Sequence, residues 1–227
     1  MTHGLKPEPT PSAPILLKKK GDAEIVRLKS KAAARSMVVN LNWKTSADLD
    51  LGCFYELKRA APPKKGFLSA LLGGGAGNMK SVIDGLQFSR GRGGPRDEQT
   101  QQGCYTAPPY VWHTGDDRSG RSTDGESILI NPAGCSELKR ITIYAFIYEG
   151  APQWSRTDGV VTVSIPGNPD VVVEMGRQSS RKAFCAVAGL DFLEDSVRVT
   201  KLVTFHDGHA DCDRAYRWGL GWRSGAK

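Results

Sequence analysis

The sequence has no run of about 18 apolar residues, which excludes a helical membrane span. Its opening, Met1-Thr2-His3-Gly4-Leu5-Lys6-Pro7, lacks the apolar centre of a secretory signal. The five cysteines (Cys53, Cys104, Cys135, Cys185 and Cys212) include no Cys-x-x-Cys pair, and an odd number at wide spacing points to reduced thiols rather than a disulfide framework. These three absences lead to the expectation of a cytoplasmic protein. No phosphate loop is present either. The run Gly73-Gly74-Gly75-Ala76-Gly77 continues into Asn78-Met79-Lys80, without the Lys-Ser/Thr that such a loop needs at a helix start. A net charge of +7 invites a nucleic-acid reading, yet the basic residues are scattered. The dense groups, Lys18-Lys19-Lys20 and Arg90, Arg92, Arg96, lie in loop-like segments with no interleaved aromatic motif and read as solvated surface.

What is present is a succession of short apolar-alternating runs. Met37-Val38-Val39-Asn40-Leu41-Asn42-Trp43 alternates and is rich in β-formers. Ile141 to Tyr148 is the most hydrophobic run and is expected at the centre of a sheet. Val160–Ile165 and Val171–Met175 flank the turn Gly167-Asn168-Pro169-Asp170 and predict a hairpin; residues 183–190 and 197–205 add two strands. Ile15-Leu16-Leu17 and Glu24 to Leu28 read as two short strands around a Lys-Gly turn. About ten such strands predict an all-β fold, an antiparallel two-sheet β-sandwich. Asp207 to Arg217 predicts a short C-terminal helix with Ala215 and Tyr216 on the core, and residues 218–222 an edge strand or an extended cover. Residues 1–13 form a Pro-rich tail before one domain over 14–227, with flexible insertions at about 60–78 and 89–108.

Two acidic clusters carry the chemistry. Asp48-Leu49-Asp50 opens a strand, and side chains repeat there with period two, so both carboxylates point the same way and repel unless a cation, a basic residue or water screens them. The loop Gly115-Asp116-Asp117-Arg118-Ser119-Gly120-Arg121-Ser122-Thr123-Asp124-Gly125-Glu126 holds four carboxylates, two small hydroxyls other than Thr and several glycines between strand-like flanks. Hard oxygen donors on a bendable chain suit Ca²⁺. The segment is not an EF-hand: Gly115 would occupy the first ligand position, and the flanks are not helical. A solvated turn uses the same residue types.

The strand 38–43 followed by Asp48-Leu49-Asp50-Leu51-Gly52, together with the Gly115–Gly120 loop ending in Asp124 and Glu126, resembles the tellurite-resistance TerD-type domain. The stretch Ala145 to Gly150 through Trp154 and Asp158-Gly159-Val160-Val161, and the ending Gly208-His209 with Tyr216-Arg217-Trp218-Gly219, is closer to the TerA-like branch. The resemblance implies a non-enzymatic bacterial protein of tellurium resistance and stress response, a β-sandwich binding calcium in clustered loops. It implies Asp48, Asp50, Asp116, Asp117, Asp124 and Glu126 as the metal ligands and other proteins of the resistance system as partners, in the cytoplasm or peripheral to the inner membrane face. The loop departs from the TerD pattern at Arg121-Ser122-Thr123, and with Arg118 this lowers its negative charge and the expected affinity.

Two other readings compete. His206-x-x-His209-x-x-Cys212 has a spacing a helix could turn into a Zn²⁺ site, against a capped helix start with solvated histidines. A metal-independent interaction module would present Trp154, Trp218 and Trp222 with the Arg90–Arg96 loop to a protein, a nucleic acid or an anionic membrane.

Overall fold

Alternation decides the architecture. In β3 (Met37–Asn42) the odd positions are buried and the even ones half-open, and β8 (Glu126–Ile130) repeats the pattern with its even positions inward. One-sided strands of this kind must close their apolar face against another sheet. The computed structural model describes residues 13–28, 35–44, 48–58, 81–87, 94–115, 125–149, 154–176 and 179–222. The other strands are β1 (Ile15–Leu16), β2 (Ala23–Arg27), β4 (Asp48–Leu57), β5 (Ile83–Gln87), β6 (Gly103–Cys104), β7 (Val111–His113), β9 (Leu138–Glu149), β10 (Val160–Ser164), β11 (Val171–Glu174), β12 (Phe184–Phe192) and β13 (Ser196–His206), followed by the helix α1 (His209–Tyr216).

The first sheet runs β1-β11-β10-β3-β8-β7-β6 and the second β2-β13-β12-β9-β4-β5. This is the expected all-β sandwich with a short C-terminal helix. The apolar run at 141–148 lies in β9, between β12 and β4, inside the second sheet. The hairpins β10–β11 and β12–β13 form as the turn residues require. One pairing differs from a wholly antiparallel fold: β1 runs parallel to β11. The Lys-Gly turn after β1 therefore carries the chain from one sheet to the other, since β2 pairs with β13. The buried Lys201 ammonium donates to the Leu17 carbonyl at 3.0 Å and the Glu174 carbonyl at 2.8 Å, tying β13 to this N-terminal segment and to β11.

The main core fills the space between the sheets. A second, smaller core lies on the outer face of the second sheet, where Phe54, Tyr144, Phe184 and Ala186 are covered by Cys212 of α1 and by Trp218. α1 turns Cys212 and Asp213 inward; Tyr216 packs against this second core as expected, while Ala215, expected there too, is exposed. Residues 218–222 are an extended cover and not a strand. Among the described residues no helix is long and apolar enough to cross a membrane.

Residues 1–12 of the Pro-rich tail and the 60–78 insertion lie outside the described residues. Of the 89–108 insertion, 94–108 carry turns and β6. The buried Gln102 amide holds them: its oxygen accepts from Gly94 N–H at 2.7 Å, and its NH₂ donates to the His113 carbonyl at 2.9 Å.

Candidate metal centre

β4 begins before its neighbour does. The β4–β5 ladder starts at Gly52 opposite Gln87, so Asp48 to Leu51 have no β5 partner. In an antiparallel strand the two backbone groups of one residue face the same neighbour. Leu57 N–H bonds the Val82 carbonyl at 2.9 Å, which assigns the odd positions of β4 to the β5 side. Leu51 thus offers an N–H and a C=O at an edge that no strand among the described residues covers, and a buried backbone pair left there would be costly.

Side chains from the first sheet fill that gap. Glu126 Oε2 accepts from Leu51 N–H at 2.7 Å, and His113 Nε2 lies 3.1 Å from the Leu51 carbonyl oxygen. Gly115 N–H donates to His113 Nδ1 at 3.0 Å. Nδ1 therefore carries a lone pair, the ring proton sits on Nε2, and Nε2–H donates to the Leu51 carbonyl. His113 and Glu126 are 0% and 1% exposed, with Nε2 and Oε2 3.6 Å apart. Sequence reasoning did not single out His113. The available signal was its alternation with Val111, which places a polar ring on the buried face of β7.

Asp48 and Asp50 are half-buried, while Leu49 and Leu51 between and after them are fully buried. The two aspartates thus share the outer face of the second sheet. The irregularity beside them leaves that face intact: Asp48 pairs with Glu149 and Leu49 with Ile147, so the extra residue, Tyr148, belongs to β9. Asp116, Asp117 and Asp124 lie outside the described residues. What is described is the frame around them. Gly115 (φ 120°) precedes the segment 116–124 and Gly125 (φ 58°) follows it, both in backbone that favours glycine. A Cβ on Gly125 would stand 2.1 Å from the Leu41 carbonyl oxygen. Among the described residues no group of three or more His, Cys, Asp or Glu is placed to hold a metal ion. The carboxylates of Asp48 and Asp50 are donors of the kind Ca²⁺ prefers.

The rival sites resolve differently. His206 Nε2 lies 2.9 Å from Thr204 Oγ1, while its Nδ1 is 3.5 Å from Asp211 Oδ2. His209 Nε2 bonds Gln87 Oε1 at 2.8 Å among the rings of Phe184, Tyr144, Phe146 and Trp222, and burial lowers its pKa to about 4. Burial pushes the Cys212 thiol up to about 12. The histidines are packed and separately partnered, so neither the zinc spacing nor the solvated helix start describes them. Trp154 and Trp218 are buried and only Trp222 is exposed, which removes two of the three rings the interaction-module reading required. An open groove of about 1560 Å³ runs along β5 to α1. Two of its acids are engaged: Asp207 and Asp211 with Lys182, and Asp211 also with Arg214.

No family model matches the chain. Over 218 residues it is 32% identical to the tellurium resistance protein TerA of an Alcaligenes species, an alignment covering 89% of this chain. The chain is TerA-like in this sense: it is similar to that tellurium-resistance protein over most of its own length. The TerA-like chain spans 56% of the length of that relative. Asp48, Asp50 and the Leu51 edge lie in β4, and Glu126 in β8, of the sandwich.

Proposed function

We propose that this TerA-like chain is a non-catalytic module of a tellurium-resistance and stress-response system, holding Ca²⁺ between segment 116–124 and the start of β4. Asp48, Asp50, Asp116, Asp117 and Asp124 supply carboxylate oxygens, and the cation offsets their mutual repulsion while stiffening that end of the sandwich. The observation that supports the reading is the common attachment of the loop's two flanks. His113 before it and Glu126 after it both bond the peptide groups of Leu51, the residue that follows Asp50. The described flanks of the second acidic segment are thereby fastened beside the first cluster, more than sixty positions earlier in the sequence. A cytoplasmic location and partner proteins of the same resistance system are part of this proposal.

Calorimetric titration of Ca²⁺ into wild type, Asp48→Ala and Asp116→Ala, with Mg²⁺ as control, tests it. Each variant is expected to bind about tenfold or more weakly, from the loss of one charged ligand, with an unchanged melting temperature in calcium-free buffer. Three superimposable isotherms reject the ligand assignment, and a wild type that takes up no Ca²⁺ rejects the calcium reading.

A further inference from the structure

Glu126 ends the acidic loop in sequence, but it does not face the way Asp48 and Asp50 do. Asp48 and Asp50 point to the outer side of β4, whereas Glu126 reaches the edge of β4 from the interior, at 1% exposure. One of its oxygens is committed to Leu51 N–H at 2.7 Å. We infer that Glu126 is a positioning residue and not a metal ligand: with His113 it clasps the Leu51 peptide groups and so sets both ends of segment 116–124 against β4. The clasp occupies both backbone groups of Leu51, with the carboxylate acting as an acceptor and the imidazole Nε2–H as a donor. The backbone is shaped for the same purpose. Gly125, immediately before Glu126, approaches Leu41 so closely that no side chain fits between them. On the far side, Gly115 closes back on the ring that binds Leu51.

An acceptor role does not require a charge. In Glu126→Gln the amide oxygen can still receive Leu51 N–H, whereas a Ca²⁺ ligand loses a unit of negative charge by the same change. The inference deepens the calcium reading and rests on it only for its binding measurement. The experiment compares wild type, Glu126→Gln and Glu126→Ala by NMR amide exchange at Leu51 in calcium-free protein and by Ca²⁺ titration. Val173→Ala, a core cavity in β11 three strands from β8, serves as the control for general destabilisation.

Glu126→Gln is expected to keep both Leu51 protection and Ca²⁺ affinity within about threefold of wild type. Glu126→Ala should speed Leu51 exchange about tenfold or more and weaken Ca²⁺ binding, while Val173→Ala leaves the affinity unchanged. The inference is overturned if Glu126→Gln loses Ca²⁺ affinity about as much as Asp116→Ala while Leu51 stays protected. It is also overturned if Glu126→Gln does not fold, or if Leu51 exchanges in wild type as fast as an open loop amide. Should wild type bind no Ca²⁺, the calcium reading falls, and Leu51 exchange in the two Glu126 variants still decides for or against the clasp.

Discussion

The guanidinium of Arg140 lies over the indole of Trp218, 3.9 Å from the ring centroid. The same side chain donates from Nε to Glu56 Oε2 at 2.7 Å and from its two terminal nitrogens to the carbonyls of Tyr216 and Arg217 at 3.2 and 3.3 Å. One arginine thus joins β9, β4 and the segment leaving α1. It does so because a planar guanidinium can stack and donate in several in-plane directions at once. Glu56 is 4% exposed, and burial alone would raise its carboxyl. The hydrogen bonds from Lys139 and Arg140 outweigh that and hold it below the usual carboxylate value.

Arg140→Lys should therefore behave as a disruptive change. An ammonium can keep one bond to Glu56 but cannot cover the indole and reach both carbonyls. Chemical denaturation is expected to show a loss of about 1–3 kcal/mol. A loss within error of zero would mean that the stack contributes nothing.

Trp218→Phe should cost far less than its size suggests. The indole nitrogen of Trp218 is buried with no hydrogen-bond partner among the described residues, so removing it relieves a desolvated donor. The expected change is about 1 kcal/mol or less, against about 3–5 for Trp218→Ala, which leaves a cavity. Paired thermal melts would separate the two.

Asp213 is the second fastening of the C-terminal cover. Its carboxylate, 4% exposed, accepts from Gly219 N–H at 2.7 Å, Leu220 N–H at 3.0 Å and the Trp222 indole at 2.5 Å. Asp213→Asn turns one acceptor into a donor facing donors. A loss of about 1.5–3 kcal/mol is expected, with faster amide exchange at Gly219 and Leu220.

Acid should loosen the same cover. Burial lowers His209 from 6.5 to about 4, so the unfolded chain takes up a proton at a pH where the folded one does not. That stability is intact above pH 6.5 and is lost as pH falls toward 4, by at most about 3 kcal/mol. Glu56, also lowered, adds to the loss as pH falls through its folded value. Trp222, whose ring centroid is 5.6 Å from that of His209, reports the change by fluorescence. His209→Phe should flatten the pH 6.5–4 portion; an unaltered profile would assign the acid response elsewhere.

The elements most legible in the sequence were those whose own residues carry the instruction. The run at 141–148 had too many apolar side chains for an edge and became β9. The residues Gly167-Asn168-Pro169-Asp170 could hardly do other than turn, and β10 and β11 pair around them. The Asp48/Asp50 pairing on one face followed from the two-residue period of a strand. The helix was legible in position and, at Tyr216, in facing; Ala215 turned outward, because eight residues with weak apolar contrast leave the rotation to the packing of Cys212.

Other relations were not written in any local stretch. Periodicity assigns a side chain to a face, but it does not say which strand lies alongside or where that strand stops. That β1 would run parallel to β11, and that two side chains of the first sheet would reach the backbone of Leu51, depended on how the whole chain closes. Glu126 illustrates the division. Its charge and its place at the end of an acidic loop come from the sequence and suggest a ligand. Only the tertiary structure turned it inward, because a buried backbone N–H needs an acceptor and this carboxylate was within reach of the one on Leu51.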